Sequence, residues 1–219
     1  MSQGLTKEEV NRKLLHGLAV VLPAGIFYGP DLLGLTNLWV CTVMFALLGF
    51  SLLIEIVRFR NQAFLNWFMR WFGSMMRKSE LRQLTGASYV LAGSAICSVI
   101  SLYGDFMAAS CFLCLTLFIL GDAAAALVGK AFGRIRFGEK TVEGALGCFL
   151  LCALLAGFVF PYLPAFLEGW GGQLSFIQIL GISAAVALLE FFPIRIGKLV
   201  LNDNLYVPAS VSLLALIIR

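Results

Sequence analysis

Seven apolar runs follow one another along this chain, at residues 14–28, 38–57, 87–103, 106–120, 145–160, 174–192 and 205–218. Between them little polar sequence is left to cover a surface facing water. Charged residues make up 13% of the 219, about half the share usual in soluble domains, and mean hydropathy is +0.93. Those values exclude a disordered chain, a coiled coil and a secreted disulfide scaffold. The expectation is an all-α, polytopic integral membrane protein. It has about seven transmembrane helices in one membrane-embedded domain, residues 1–219. A straight span takes about 20 residues, so the shorter runs are expected to extend into their polar flanks.

The basic residues set the orientation. Lys7, Arg12 and Lys13 precede the first run. Arg58, Arg60, Arg70, Arg77, Lys78 and Arg82 lie between the second and third. Lys130, Arg134, Arg136 and Lys140 lie between the fourth and fifth, and Arg195 and Lys198 between the sixth and seventh. That places fifteen of the sixteen Lys and Arg on one side, with Arg219 left over, while Asp31, Asp105 and Glu168 occupy the opposite loops. By the positive-inside rule the N-terminus is cytoplasmic and the C-terminus outside. No cleavable signal sequence is expected, because mixed charges precede the first run and no small-residue cleavage site stands out. A net charge of +4 is too small to argue for a nucleic-acid partner.

Residues 61–78 carry Phe64, Leu65, Phe68, Trp71, Phe72, Met75 and Met76 on one broad face at helical spacing, with Gln62, Asn66, Arg70 and Arg77 on the other. This pattern predicts an amphipathic helix in the cytoplasmic interface, either a membrane anchor or a gate for a lipid arriving sideways. All six cysteines lie inside apolar stretches. Cys111 and Cys114 form a CxxC, but with His16 as the chain's one histidine they read as packing residues rather than metal ligands.

The acids are more informative. Nine of twelve sit on the cytoplasmic side or at cytoplasmic span ends. Glu55, Asp122 and Glu190 close the second, fourth and sixth runs, and Glu143 and Asp203 lie just before the fifth and seventh. Ionisable groups at such depths are costly and point to function. The densest stretch runs Gly121-Asp122, then Gly129-Lys130 and Gly133-Arg134, then Lys140-Thr141-Val142-Glu143-Gly144. Ala125, Gly129 and Gly133 share one helical face, which permits close approach of a helix or of a ligand. Asp122 and Glu143 can hold a hard divalent cation through oxygen. Lys130, Arg134 and Lys140 can neutralise phosphate, and backbone N–H groups near Gly144 can receive an anion. This is the donor set of a metal–polyphosphate site. Arg12-Lys13-x-x-His16 reads either as anchoring charge or as part of that site. Asn202-Asp203-Asn204 reads either as a helix-initiating turn or as oxygen ligands for Mg2+.

In this order the pieces resemble the polyprenol kinase family, which includes dolichol kinases, phytol and farnesol kinases and CTP-dependent diacylglycerol kinases. The matching residues are Arg12-Lys13-x-x-His16, Leu84-Thr85-Gly86-Ala87-x-Tyr89, Gly121-Asp122 with Gly129 and Gly133, Lys140-Thr141-x-Glu143-Gly144, and Asp203-Asn204-Leu205-x-x-Pro208. The resemblance implies transfer of the γ-phosphate of CTP, with Mg2+, to the hydroxyl of a membrane alcohol at the cytoplasmic face. It implies that Arg12, Lys13, Asp122 and Gly129 are essential. Lys140, Thr141 and Glu143 are implied at the nucleotide site, joined there by Lys130, Gly133, Arg134, Gly144 and Asn204. Asp122, Glu143 and Asp203 are the expected metal ligands. The expected catalytic set is Lys13 and Asp122 with either Asp203 or Glu143 as the base. The short chain is similar to the phytol and diacylglycerol branch. Which alcohol is accepted, and the oligomeric state, stay open at this level.

Two other readings compete. A phosphatidate cytidylyltransferase-like enzyme shares a Gly-Asp and a Lys-Thr-x-Glu-Gly element, but its later Asp-Arg-x-Asp pair is missing here, where residues 195–204 stand. A small transporter should line a path near the bilayer midplane with charge, whereas here charge gathers on one face.

Overall fold

The computed structural model describes residues 7–197 and 199–219; Lys198, and the side chains of Lys7, Glu8, Glu9, Lys78, Ile196 and Leu199, lie outside the described residues. The chain is almost wholly helical. Its helices are α1 (Lys7–Leu18), α2 (Val21–Leu33), α3 (Asn37–Arg60), α4 (Gln62–Phe72), α5 (Gly86–Ile100), α6 (Asp105–Phe132), α7 (Val142–Phe158), α8 (Pro164–Trp170), α9 (Phe176–Phe191) and α10 (Asp203–Leu214). Two antiparallel hairpins interrupt them, β1 (Arg136–Phe137) with β2 (Lys140–Thr141) before α7, and β3 (Arg195–Ile196) with β4 (Leu199–Val200) before α10.

Among the described residues five helical stretches are long and apolar enough to cross a membrane: Val10–Leu33, Asn37–Arg60, Gly86–Tyr103, Asp105–Phe132 and Val142–Tyr162. The sixth and seventh apolar runs form the helices α9 and α10, of 16 and 12 residues, so length alone supports five spans rather than seven. The first stretch breaks between α1 and α2 at Ala19–Val20. Pro23 has no N–H to offer the Ala19 carbonyl, so the α-helical ladder stops there and resumes after one tight turn. The segment 61–78 is helical only as far as Phe72, capped at its start by Asn61 Oδ1 on the Phe64 N–H (3.0 Å), and then tightens into a 3-10 turn at Gly73–Met75. It buries no residue.

The helix α6 is the hub. In its most apolar window 61% of residues are buried, against 17% for Val10–Leu33, and α1, α2, α5, α7, α8, α9 and α10 all pack on it. The apolar run predicted to stop near residue 120 continues as helix to Phe132. Asp122 therefore sits inside α6 and not at its end. Close packing explains the glycine before it. A Cβ on Gly121 would stand 2.7 Å from Cys148 Sγ and 3.0 Å from Cys152 Sγ on α7.

The units α6–hairpin–α7 and α9–hairpin–α10 are built alike, a correspondence the sequence does not announce as a repeat. Each hairpin opens Ile-Arg-x-Gly, at Ile135 and Ile194, and turns on a left-handed glycine, Gly138 (φ 63°) or Gly197 (φ 61°). Gly at the first turn position suits the twist of a two-residue hairpin. Each is closed by one further backbone bond, Val142 N–H to the Ile135 carbonyl and Leu201 N–H to the Ile194 carbonyl, both 3.0 Å. The helices that follow are capped by Thr141 and Asn202.

One buried ion pair fastens the end of α3. Glu55 pairs with Arg58, and Arg58 also donates to the carbonyls of Glu80 (2.6 Å) and Gln83 (2.9 Å). Glu55 Oε1 in turn accepts from the Thr85 N–H (2.8 Å), the Thr85 hydroxyl (2.7 Å) and Ser88 (3.0 Å). The loop before α5 is thereby held to α3.

Gly121→Ala is expected to destabilise the protein by about 1–3 kcal/mol through overpacking. Unfolding in mixed micelles measures this, and adding Cys148→Ala should recover a large part of the loss. A fully tolerated Gly121→Ala would contradict this account of the α6–α7 seam.

Candidate functional site

Three carboxylates from three helices converge below the two hairpins. Asp122 comes from the middle of α6, Glu190 from the last turn of α9 and Asp203 from the first position of α10. One oxygen of each lies within 4.8 Å of the other two. Tyr206 helps fix the spacing. Its hydroxyl donates to the Leu189 carbonyl (3.0 Å) and accepts from the Ile194 N–H (3.4 Å), tying α10 to the end of α9.

Two lysines neutralise the cluster. Lys13, on α1 and 5% exposed, reaches Asp122 Oδ2 at 2.6 Å. His16, one turn on and on the same face, brings Nε2 to 3.2 Å from the same oxygen. Lys140, on β2, lies 2.7 Å from Glu190 Oε1 and 2.9 Å from Asp203 Oδ2, and also donates to the Glu190 carbonyl. Burial works against its ammonium, but Asp203 and Glu190 beside it hold its pKa above the ordinary lysine value.

The cluster lines a polar cavity of about 620 Å³, which Arg12, Arg77, Lys130, Arg136 and Asn204 also border. A second, mostly apolar cavity of about 310 Å³ adjoins it, and Arg12, Lys13, Arg77, Asp122 and Asn204 border both.

The expected residues fall into two groups. Arg12, Lys13, Asp122, Gly129, Lys130, Lys140, Thr141, Gly144, Asp203 and Asn204 all border the polar cavity. Glu143, Gly133 and Arg134 are not among its lining residues. Glu143, expected as metal ligand or base, stands on the exposed rim of α7, and its carboxylate accepts the Ile135 N–H at 3.2 and 3.3 Å. Gly133 ends α6 through its N–H on the Gly129 carbonyl (3.0 Å), and Arg134 follows it in the exposed loop.

Several lining residues serve the scaffold. The Gly144 N–H, a candidate anion donor, is held by Thr141 Oγ1 (3.1 Å) as a helix cap. A Cβ on Gly144 would lie 2.6 Å from the Ala125 carbonyl, and one on Gly129 2.5 Å from Thr141 Oγ1. The glycines thus let α6 and the start of α7 touch.

Glu190, absent from the expected set, stands in the cluster with Asp122 and Asp203, and Glu143 does not. The signal of Glu190 was an acid closing an apolar run, with no motif around it. The hard-oxygen chemistry of Asp122, Glu190 and Asp203 fits a divalent cation such as Mg2+. Asp122→Asn, Glu190→Gln and Asp203→Asn are each expected to weaken Mn2+ binding, followed by electron paramagnetic resonance, by more than the roughly tenfold that loss of an outer partner costs. Glu143→Gln should leave it unchanged.

Comparison with known proteins gives one limited match. Dolichol kinase of Saccharomyces cerevisiae is 32% identical over 100 residues, a stretch covering 41% of this chain and 16% of that protein. No family model matches the chain, and no solved structure matches it. The likeness to the yeast enzyme supports kinship with the polyprenol kinases at the level of the family.

Proposed function

We propose that this protein is a lipid-alcohol kinase. It transfers the γ-phosphoryl group of a nucleoside triphosphate, CTP by the family resemblance, to the hydroxyl of a membrane isoprenoid alcohol or diacylglycerol. The observation that carries this reading is the carboxylate cluster of Asp122, Glu190 and Asp203, paired with Lys13 and Lys140 inside a cavity bordered by further cations. Phosphoryl transfer depends mainly on positioning and on neutralising charge, which is what such a cavity supplies. The likeness to yeast dolichol kinase points the same way.

In this reading Asp122, Glu190 and Asp203 would hold Mg2+, which would offset the charge of the phosphates. Lys13 and Lys140 offer ammonium groups to the phosphate oxygens in the same cavity, where Arg12, Lys130 and Arg136 add positive charge. Asp122 is the acid that borders both cavities. The alcohol is presented there, and its oxygen bonds to the γ-phosphorus as the bond from that phosphorus to the bridging oxygen breaks. The hydroxyl proton passes to a carboxylate of the cluster, and the nucleoside diphosphate leaves. The positive-inside distribution supports reading this cavity as cytoplasmic, with the N-terminus inside and the C-terminus outside.

The test uses purified protein in detergent with Mg2+ and γ-labelled CTP, ATP, GTP and UTP. The acceptors are phytol, farnesol, geranylgeraniol, undecaprenol and diacylglycerol. Labelled lipid phosphate with release of CDP is expected. Asp122→Asn should lower the rate about 10²–10⁴-fold with the protein still folded. Release of pyrophosphate would replace the kinase with a cytidylyltransferase. An active Asp122→Asn variant would remove Asp122 from its role.

A further inference from the structure

The cations of the site divide by the cavity they border. Lys130, Arg136 and Lys140 border the polar cavity but not its neighbour, whereas Arg12, Lys13 and Arg77 border both. The neighbour is a groove of about 310 Å³ with apolar walls from Leu22, Phe68, Phe72, Val90 and Leu91. Arg12 and Lys13 are consecutive on α1. Arg77 comes from elsewhere, the connection between α4 and α5. It belongs to none of the five stretches that carry the family resemblance.

The connection is tied at several points around Arg77. The Arg77 N–H donates to Glu80 Oε2 (2.9 Å), and the Arg77 carbonyl accepts the Glu80 N–H (3.0 Å). Glu80 Oε1 accepts the Gly86 N–H (3.0 Å) at the start of α5, and the Glu80 carbonyl accepts from buried Arg58 on α3 (2.6 Å). Glu80 is the sole acid between residues 58 and 85, and each of its oxygens takes a backbone N–H. The place of Arg77 is thus fixed through its main chain. Its side chain is exposed, and among the described residues no ion pair involves it. A guanidinium is less strongly hydrated than an ammonium and presents a rigid fork of donors to phosphate oxygens. Arg70 and Arg82, on either side of it in the chain, are exposed too, yet neither lines either cavity.

We infer that Arg77 is a catalytic residue whose guanidinium binds the phosphoryl group in transit, with Glu80 and Arg58 as positioning residues that act through it. The inference rests on the kinase reading above and adds a residue to that site. In that transfer the acceptor oxygen bonds to the γ-phosphorus as the bond to the bridging oxygen breaks, and the proton goes to a carboxylate of the cluster. Arg77 exchanges no proton. Its charge and its donors offset the negative charge spread over the three oxygens of the group in transit. Lys130, Arg136 and Lys140 serve the nucleotide in the polar cavity, while a group that passes from that cavity toward the groove stays beside the cations that border both. The depth also fits. α4, from which this connection leaves, buries no residue and exposes Trp67 and Trp71, as aromatic residues at a membrane interface are. A lipid phosphate comes to rest at that level.

The experiment measures lipid-phosphate formation by the full chain in nanodiscs, using the nucleotide and acceptor that give most product in the assay above, and Mn2+–nucleotide binding alongside it. Arg77→Ala should lower kcat about 10²–10³-fold, the usual cost of removing one oriented donor to transition-state charge. Nucleotide binding should weaken by less than about tenfold, because the other cations of the polar cavity remain. Methylguanidinium added to Arg77→Ala should restore kcat several-fold, and should do nothing for Asp122→Asn. Arg77→Lys should retain part of the rate. Glu80→Gln, which can keep one of the two backbone N–H groups but not both, should slow the unsubstituted chain and leave Arg77→Ala no slower than before. Arg70→Ala should leave kcat unchanged. An Arg77→Ala variant with full kcat would overturn the inference, as would an equal loss in Arg70→Ala. So would a loss in Arg77→Ala that neither methylguanidinium nor lysine recovers and that takes nucleotide binding with it. In each of these cases lipid phosphate from the unsubstituted chain leaves the kinase reading standing. No lipid phosphate from the unsubstituted chain with any nucleotide and acceptor would remove that reading, and the role of Arg77 with it.

Discussion

Three carboxylates held within 4.8 Å of one another in an apolar helical bundle repel each other and lose hydration at once. Either cost alone is severe where the surroundings cannot screen charge. The structure is arranged around cancelling them. Lys13 answers Asp122 from 109 positions away in the chain, and Lys140 answers Glu190 and Asp203 together. Removing one partner of such a buried pair leaves an uncompensated charge, so α1, α6, α9, α10 and the first hairpin depend on one another for their placement. The same arrangement is suited to exchange. In the proposed reading a divalent cation on the carboxylates would leave both ammonium groups a polyanion as partner, so neither side would be left unpaired.

The backbone that brings these groups together is duplicated. In both halves a helix giving one acid to the cluster leads into an Ile-Arg-x-Gly hairpin, and the hairpin feeds a capped helix that packs back against α6. The first copy contributes Asp122 and Lys140, the second Glu190 and Asp203. Placing one site group on a helix and one at or just after a hairpin, twice, puts four side chains on one centre without any long loop. The small residues of α6 and α7 serve this geometry. With glycine at 121, 129 and 144 the two helices approach closely enough for Thr141 to cap α7 beside the cavity and for Lys140, next to it, to reach across to α9 and α10.

Much of this was legible in the sequence, for reasons that also explain what was not. Apolar runs and sparse charge identify an all-helical membrane protein because hydrocarbon admits few alternatives. Lys13, Asp122, Lys140 and Asp203 stood out because charge beside an apolar run demands a partner. The partner itself depends on tertiary contact, so Glu143 and Glu190 could not be ranked. Both lie near the end of a run, yet one faces out to cap a loop N–H and the other turns inward. The apolar count falls after residue 120, but a run of alanines keeps α6 going through Phe132, as the shared helical face of Ala125 and Gly129 requires. The two-hairpin correspondence was invisible because it rests on four residues and a backbone conformation. Hydropathy could not fix the number of spans because it measures composition and not helix length, and α9 and α10 are apolar yet only 16 and 12 residues long.

The Glu55–Arg58 clamp gives the resembling Leu84-Thr85-Gly86 stretch a physical role distinct from chemistry. Glu55 takes both the backbone and the hydroxyl of Thr85, and Arg58 holds two carbonyls of the preceding loop. This fixes the start of α5, and with it Val90 and Leu91, as one wall of the apolar groove. It also satisfies polar groups that would otherwise draw water into that groove. The division that results has a chemical consequence. A polar cavity bordered by cations meets a mostly apolar groove, and Asp122 borders both. In the proposed reading the phosphates would reach Asp122 from the polar side and the acceptor oxygen from the groove side, so that the two substrates meet only where their reacting atoms must be positioned against each other.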